Sequence, residues 1–116
     1  MITLPHVADV TAGEWQEHAR FPGIYMKGLL TSVDNPLASV NTVQVPPGGL
    51  IGRHRHKQQL ETIWVIKGNA ILTLDQTEVP IKDGQIIAIP IGLEHALRNE
   101  GQSPVELLTF FTPPLT

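Results

Sequence analysis

Residues 54 to 61 read HRHKQQLE, placing two of the chain's five histidines either side of one arginine and a glutamate just beyond a short polar run. Imidazole nitrogens and a carboxylate are the donors that hold Fe, Mn, Co, Ni, Zn or Cu, and no cysteine is present to offer a thiolate instead. On a strand, alternate side chains share a face, so His54 and His56 point one way and Arg53 and Arg55 the other, with the histidine Cα atoms roughly 6 to 7 Å apart. If Lys57 to Leu60 close a hairpin loop, Glu61 falls opposite His56 and Ile63 opposite His54. Ile63 and Val65 continue the face of Glu61 and suit an interior, where an unpaired carboxylate is costly and a bound cation relieves the cost. A fourth donor is available at His95, after the run 85–89 and the turn Pro90-Ile91-Gly92. Three imidazoles and one carboxylate leave coordination positions open on a five- or six-coordinate ion, and an open position is where chemistry occurs.

Strands must carry these residues. The chain has ten glycines and ten prolines in 116 residues, spaced so that apolar or alternating runs of about five to eight residues lie between them. Reading the breakers as turns predicts strands at 24–31, 38–45, 52–56, 61–66, 70–74, 78–81, 85–89, 95–99 and 105–112. PPGG at 46–49, Gly68-Asn69, Lys82-Asp83-Gly84 and EGQSP at 100–104 supply turns. The spacing predicts an all-β sandwich or barrel, with residues 1–116 forming one domain. One segment differs: Thr11 followed by Glu14 is a capping-box pattern, and Ala12 to Arg20 could form a short helix or irregular turn before Phe21-Pro22-Gly23.

Composition narrows the function classes. Apolar residues make up 41% and charged residues 16%, a globular balance, and the formal net charge is −3. Arg53, Arg55 and Lys57 are the only local basic grouping, which excludes a nucleic-acid footprint. No apolar stretch approaches membrane-spanning length, and MITLPHVADV lacks a basic start followed by an apolar run. The expectation is a cytoplasmic protein with no membrane partner. No glycine-rich phosphate loop points to an organic cofactor.

Together these residues resemble the cupin superfamily. Its pattern G-x5-H-x-H-x4-E-x6-G is met by Gly48, His54, His56, Glu61 and Gly68, and G-x5-P-x-G-x2-H-x3-N by Gly84, Pro90, Gly92, His95 and Asn99. The short stretch between Gly68 and Gly84 is similar to that of compact single-domain bacterial cupins. The resemblance implies a small antiparallel jelly-roll barrel, a homodimer, and a divalent transition metal (Fe, Mn, Ni, Zn or Cu) held by His54, His56, Glu61 and His95. It further implies a metal-dependent enzyme acting on a small organic substrate, with a dioxygenase or other oxidoreductase foremost and isomerase or lyase chemistry as alternatives. Upstream, GEWQEHARFPGIYMKGLL at 13–30 resembles the Trp…Pro-Gly-Val segment of zinc-binding cupins in anti-sigma sensor proteins, with Ile24 where that pattern has valine. A non-catalytic zinc-binding or small-molecule-sensing module is therefore a second implication.

Other residues carry blander expectations. His6 and His18 are expected in solvent. Asn99 is expected to bond nearby backbone at a strand end, and Glu94 to point away from the ligands. Trp15, Trp64, Phe21, Phe110 and Phe111 are expected in ordinary packing, with Trp64 turned away from Glu61 by parity and one of Phe110 and Phe111 facing inward.

Overall fold

Between these breakers, ten strands form in the computed structural model, which describes residues 6–116. They are β1 (Gln16–Glu17), β2 (Tyr25–Leu30), β3 (Ser39–Val45), β4 (Leu50–His54), β5 (Leu60–Lys67), β6 (Asn69–Leu74), β7 (Thr77–Lys82), β8 (Ile86–Ile89), β9 (His95–Arg98) and β10 (Val105–Thr112). The opening MITLP, read above for targeting signals, lies outside the described residues.

The strands make two antiparallel sheets, one ordered β1-β2-β3-β10-β5-β8 and the other β4-β9-β6-β7, packed as a jelly roll. The hydrophobic pattern dictates which faces meet. In β5, Glu61, Ile63 and Val65 are buried while Trp64 between them is 45% exposed, and β10 buries Val105, Leu107, Thr109 and Phe111 in the same alternation. With Val43, Val45, Leu72, Ile81, Ile89 and Leu97 they fill the space between the sheets. Each such large aliphatic side chain contributes about 1.5–3 kcal/mol by leaving water. Phe111 is the inward member of its pair, and Trp64 faces away from Glu61 as parity requires.

The sharp turns need glycine where the sequence provides it. Gly68 between β5 and β6 holds φ at 103°, and a Cβ there would meet Pro104 O and Val105 Cα at 3.0 Å.

One expectation is resolved and one overturned. Of the two alternatives for 12–20, the irregular one holds: no helix forms among the described residues, and the segment contains bends, coil and β1. Thr11 is engaged by Asp9 instead of capping a helix: Asp9 Oδ1 accepts from Thr11 N at 2.9 Å and from its hydroxyl at 2.7 Å. Lys27 Nζ donates to the Val10 and Ala12 carbonyls, and Gly13 at φ 80° turns the chain out of helical geometry. Second, β4 and β5 do not form a hairpin. β4 pairs with β9, β5 pairs with β10 and β8, and residues 55–59 cross from one sheet to the other.

Candidate metal centre

The four candidate ligands meet across the two sheets. His54 ends β4 and stands opposite His95, the first residue of β9. His56 lies just beyond β4 in the crossing segment, and its carbonyl accepts a 2.8 Å hydrogen bond from the Gly92 N–H. Gly92 holds φ at 83°, so the turn before β9 clasps the segment that carries His56. Glu61 belongs to the other sheet, opposite Phe111 on β10 and Ile89 on β8. The hairpin expectation set Glu61 against His56 along one sheet, whereas the residues actually converge from facing sheets. One donor atom from each of the four lies within 4.8 Å of all the others. Bonds of 2.0–2.2 Å to a common ion place donors about 3–4.4 Å apart, so a small contraction would complete the shell.

Hydrogen bonds fix the rings for ligation. His54 Nδ1 donates to Gly52 O at 2.7 Å and His95 Nδ1 to Leu93 O at 2.9 Å, since a carbonyl can only accept. That leaves each Nε2 as the nitrogen free to bind an ion. His95 Nε2 sits 2.9 Å from Glu61 Oε1, and His56 Nε2 sits 3.5 Å from the same oxygen while buried without a hydrogen-bond partner. Imidazole nitrogens aimed at one buried carboxylate oxygen need a cation between them, either protons or a metal.

The titration behaviour agrees with that reading. Burial pushes the Glu61 carboxyl up, but the His56 and His95 rings more than offset it and hold it at about 2. For His54, burial dominates over the Gly52 bond and brings it down to about 4, so the ring is neutral at ordinary pH. Burial also opposes charge on His95, yet Glu61 and the Leu93 carbonyl leave its pKa raised. The donor set and the orphaned His56 nitrogen therefore fit a divalent transition ion.

The cluster opens on a cavity of about 400 Å³ with mostly apolar walls, including Met26, Val43, Ile51, Ile63, Leu72 and Leu107. Phe111 meets the His56 ring edge-on at 4.9 Å, and Phe21 lies 5.1 Å from His54. On the outer side, Arg53 and Arg55 are engaged by Glu94 at 3.3 and 3.0 Å, and Arg53 also donates to Asp75 O. Glu94 thus points away from the cluster, as expected, and the arginines hold its carboxyl below the usual range. Asn99 donates to Val45 O and Ser103 O and accepts from Gly101 N, the backbone-bonding role expected of it.

His6 is exposed, with Nε2 3.1 Å from Leu29 O, far along the chain from the cluster. The solvent expectation for His18 is corrected. It is half-buried on the cavity wall, 4.9 Å from Phe21, and Nδ1 accepts from the N–H groups of Arg20 and Phe21. Burial, then the Arg20 charge, lowers its pKa. Trp15 is half-buried and lies beneath Lys27 Nζ, 4.5 Å from its ring. Asn41 and Thr109 line the cavity without having been singled out from the sequence. Their signal was parity: Asn41 shares the face of Val43 and Val45, and Thr109 that of Leu107 and Phe111.

A family model of the cupin domain matches residues 41–111. Mannose-1-phosphate guanylyltransferase of Klebsiella pneumoniae is 33% identical over 76 residues, covering 66% of this chain but only 16% of that protein's length. Polyketide synthase CurC of Streptomyces cyaneus is 30% identical over 111 residues, 94% of this chain and 70% of its own. Among solved structures, a predicted oxalate decarboxylase of Thermotoga maritima superposes with a TM-score of 0.83 at 22% identity, covering 92% of this chain and 98% of that one.

Proposed function

This chain belongs to the cupin domain family, and from that premise we propose that it is a metal-dependent enzyme acting on a small organic substrate, with dioxygen as the second reactant. One observation carries the reading: three imidazoles and a buried carboxylate converge at the wall of an apolar cavity, with the His56 nitrogen left unsatisfied inside the cluster. Bound there by His54, His56, Glu61 and His95, a divalent transition ion would supply Lewis acidity and, if redox-active, electrons.

The chain's own residues have definite tasks. The Gly52 and Leu93 carbonyls keep the His54 and His95 rings oriented, and Glu61 supplies the negative charge that a cation requires. Phe21, Phe111 and the aliphatic walls keep bulk water from the substrate. Proton-transfer chemistry would need an acid or base besides the ligands, and among the described residues His18 is the one further imidazole or carboxylate lining the cavity. This scarcity of proton carriers favours oxidation over isomerase or lyase chemistry. The Thermotoga structure, described as a predicted oxalate decarboxylase, supports the lyase alternative, with His18 as the proton donor.

Oxygen uptake with protein loaded separately with Fe, Mn, Ni, Cu and Zn tests the proposal. Consumption that requires a redox-active ion and disappears in His56→Ala supports it. Turnover without oxygen consumption favours the lyase reading, and tight zinc binding without turnover across a broad substrate panel assigns a binding or sensing role.

Two further expectations belong to this reading. We propose a cytoplasmic location, to be checked by fractionation. Separately, among the described residues no helix is long and apolar enough to cross a membrane. We also propose a homodimer, supported by an apolar strip in which Trp64 and Ile86, paired on β5 and β8, are 45% and 67% exposed. A monomeric mass by light scattering would refute it.

A further inference from the structure

The other buried asparagine among the described residues is well engaged: Asn99 is 2% exposed and its amide makes three hydrogen bonds to backbone groups. Asn41 is 4% exposed, and its side-chain amide makes no hydrogen bond to another described residue but lies on the cavity wall. Only its backbone carbonyl is engaged, accepting from the Thr109 hydroxyl at 3.4 Å. An amide on an otherwise mostly apolar cavity wall with no protein partner is free to bond a molecule bound there.

Register places Asn41 at the far side of the cavity from the ligand cluster. It stands opposite Thr109 on β10, and Thr109 lies diagonally from Glu61, whose partner on β10 is Phe111. Two strand spacings and a two-residue offset put the Asn41 and Glu61 Cα atoms about 12 Å apart. With both side chains reaching inward, the remaining span suits a molecule one ring across, which a cavity of about 400 Å³ accommodates.

The neighbours of Asn41 specify charge as well. On its face the adjoining positions are Val43, Met26, Leu107 and Thr109, none of which is cationic. Arg20, the one guanidinium lining the cavity among the described residues, rests 5.3 Å from the Phe21 ring, beside His54. An anionic group is thus provided for at the ligand end, whereas a carboxylate beside Asn41 would be buried without a counter-charge.

Resting on the metal reading above, we propose that Asn41 is the specificity-determining residue, reading an uncharged hydroxyl or carbonyl oxygen at the end of a one-ring substrate opposite its metal-binding oxygens. The amide offers a donor and an acceptor, so either group satisfies it.

The test compares catechol, which has a chelating end only, with 3,4-dihydroxybenzaldehyde and 3,4-dihydroxybenzyl alcohol, which add the far oxygen. Zinc uptake is first measured for wild type and Asn41→Leu, and is expected to be the same in both. Calorimetric titration of the zinc-loaded wild type should then give dissociation constants about three- to tenfold lower for the aldehyde and alcohol than for catechol, the increment of one hydrogen bond. Asn41→Leu should abolish the difference for both. In nitrogen-15 spectra the side-chain NH2 signals missing from Asn41→Leu should shift on adding the aldehyde and not on adding catechol. An equal preference in wild type and Asn41→Leu, no preference in wild type, or no binding of any of the three overturns the proposal. Absence of zinc uptake by wild type sinks the metal reading instead, and the same spectra run on metal-free protein then decide for Asn41.

Discussion

Replacing Glu61 by glutamine removes one charge from the centre of the cluster while preserving its shape. In the metal-free protein the Glu61 carboxyl is held at about 2 against an ordinary value of 4.5. At about 1.4 kcal/mol per unit this corresponds to roughly 3 kcal/mol of folding stability at neutral pH. Because the folded-state value is the lower one, that contribution is present above pH 4.5 and is lost as the pH falls toward 2. Urea unfolding of chelator-treated wild type and Glu61→Gln should therefore differ by about 2–3 kcal/mol at pH 7, with the gap closing below pH 3. Adding zinc at a hundredfold excess over its dissociation constant should raise wild-type stability by about 2.7 kcal/mol and leave the variant nearly unmoved. Equal midpoints for the two metal-free proteins at pH 7 would refute the charge pairing. An equal zinc-induced gain would refute Glu61 as a ligand.

His56→Ala should separate metal affinity from stability. Its ring meets Phe111 and shares with His95 the task of holding Glu61 ionised, so unfolding of the metal-free variant should shift by about 1–2 kcal/mol, while calorimetry should show zinc affinity reduced by more than about 100-fold. Acidification should release metal in a predictable window. Against burial, Glu61 and the Leu93 carbonyl raise the His95 pKa, so protonation of this ring competes with zinc and affinity should fall as the pH is lowered; His54, held at about 4, does not compete above pH 5. Zinc titrations between pH 8 and 5 check the sign, and affinity independent of pH over that range would count against His95 as a ligand.

The strands were legible because burial alternates in short runs between prolines and glycines, and the structure places a strand at every predicted run. Pairing was less legible. Nothing local in Lys57 to Leu60 distinguishes a hairpin loop from a crossing between sheets, since that choice depends on β9 and β10 far along the chain. The candidate ligands themselves were readable, because their donor types and spacing carry the signal whichever route brings them together. His18 and Asn41 were not. The position of His18 follows from the turn that docks Phe21 against His54, and the role of Asn41 depends on the absence of a partner, which only tertiary structure reveals.

The division of the cluster between sheets has a mechanical consequence. His54 and His95 are fixed in the four-stranded sheet, Glu61 in the six-stranded sheet, and His56 in the segment that joins them. An ion binding all four would clip the sheets together at the wall of the cavity, so ion binding and the closeness of the two inner faces are linked. Apolar contacts behind the cluster, through Ile63, Leu72, Ile89 and Leu97, bring the sheets together without metal, which lets the site be preformed instead of folding on binding. The same packing limits how far the donors can relax, and that limit explains how a buried carboxylate, three imidazoles and an unsatisfied nitrogen persist side by side. A cation bound there would satisfy the His56 nitrogen that this packing holds beside the carboxylate.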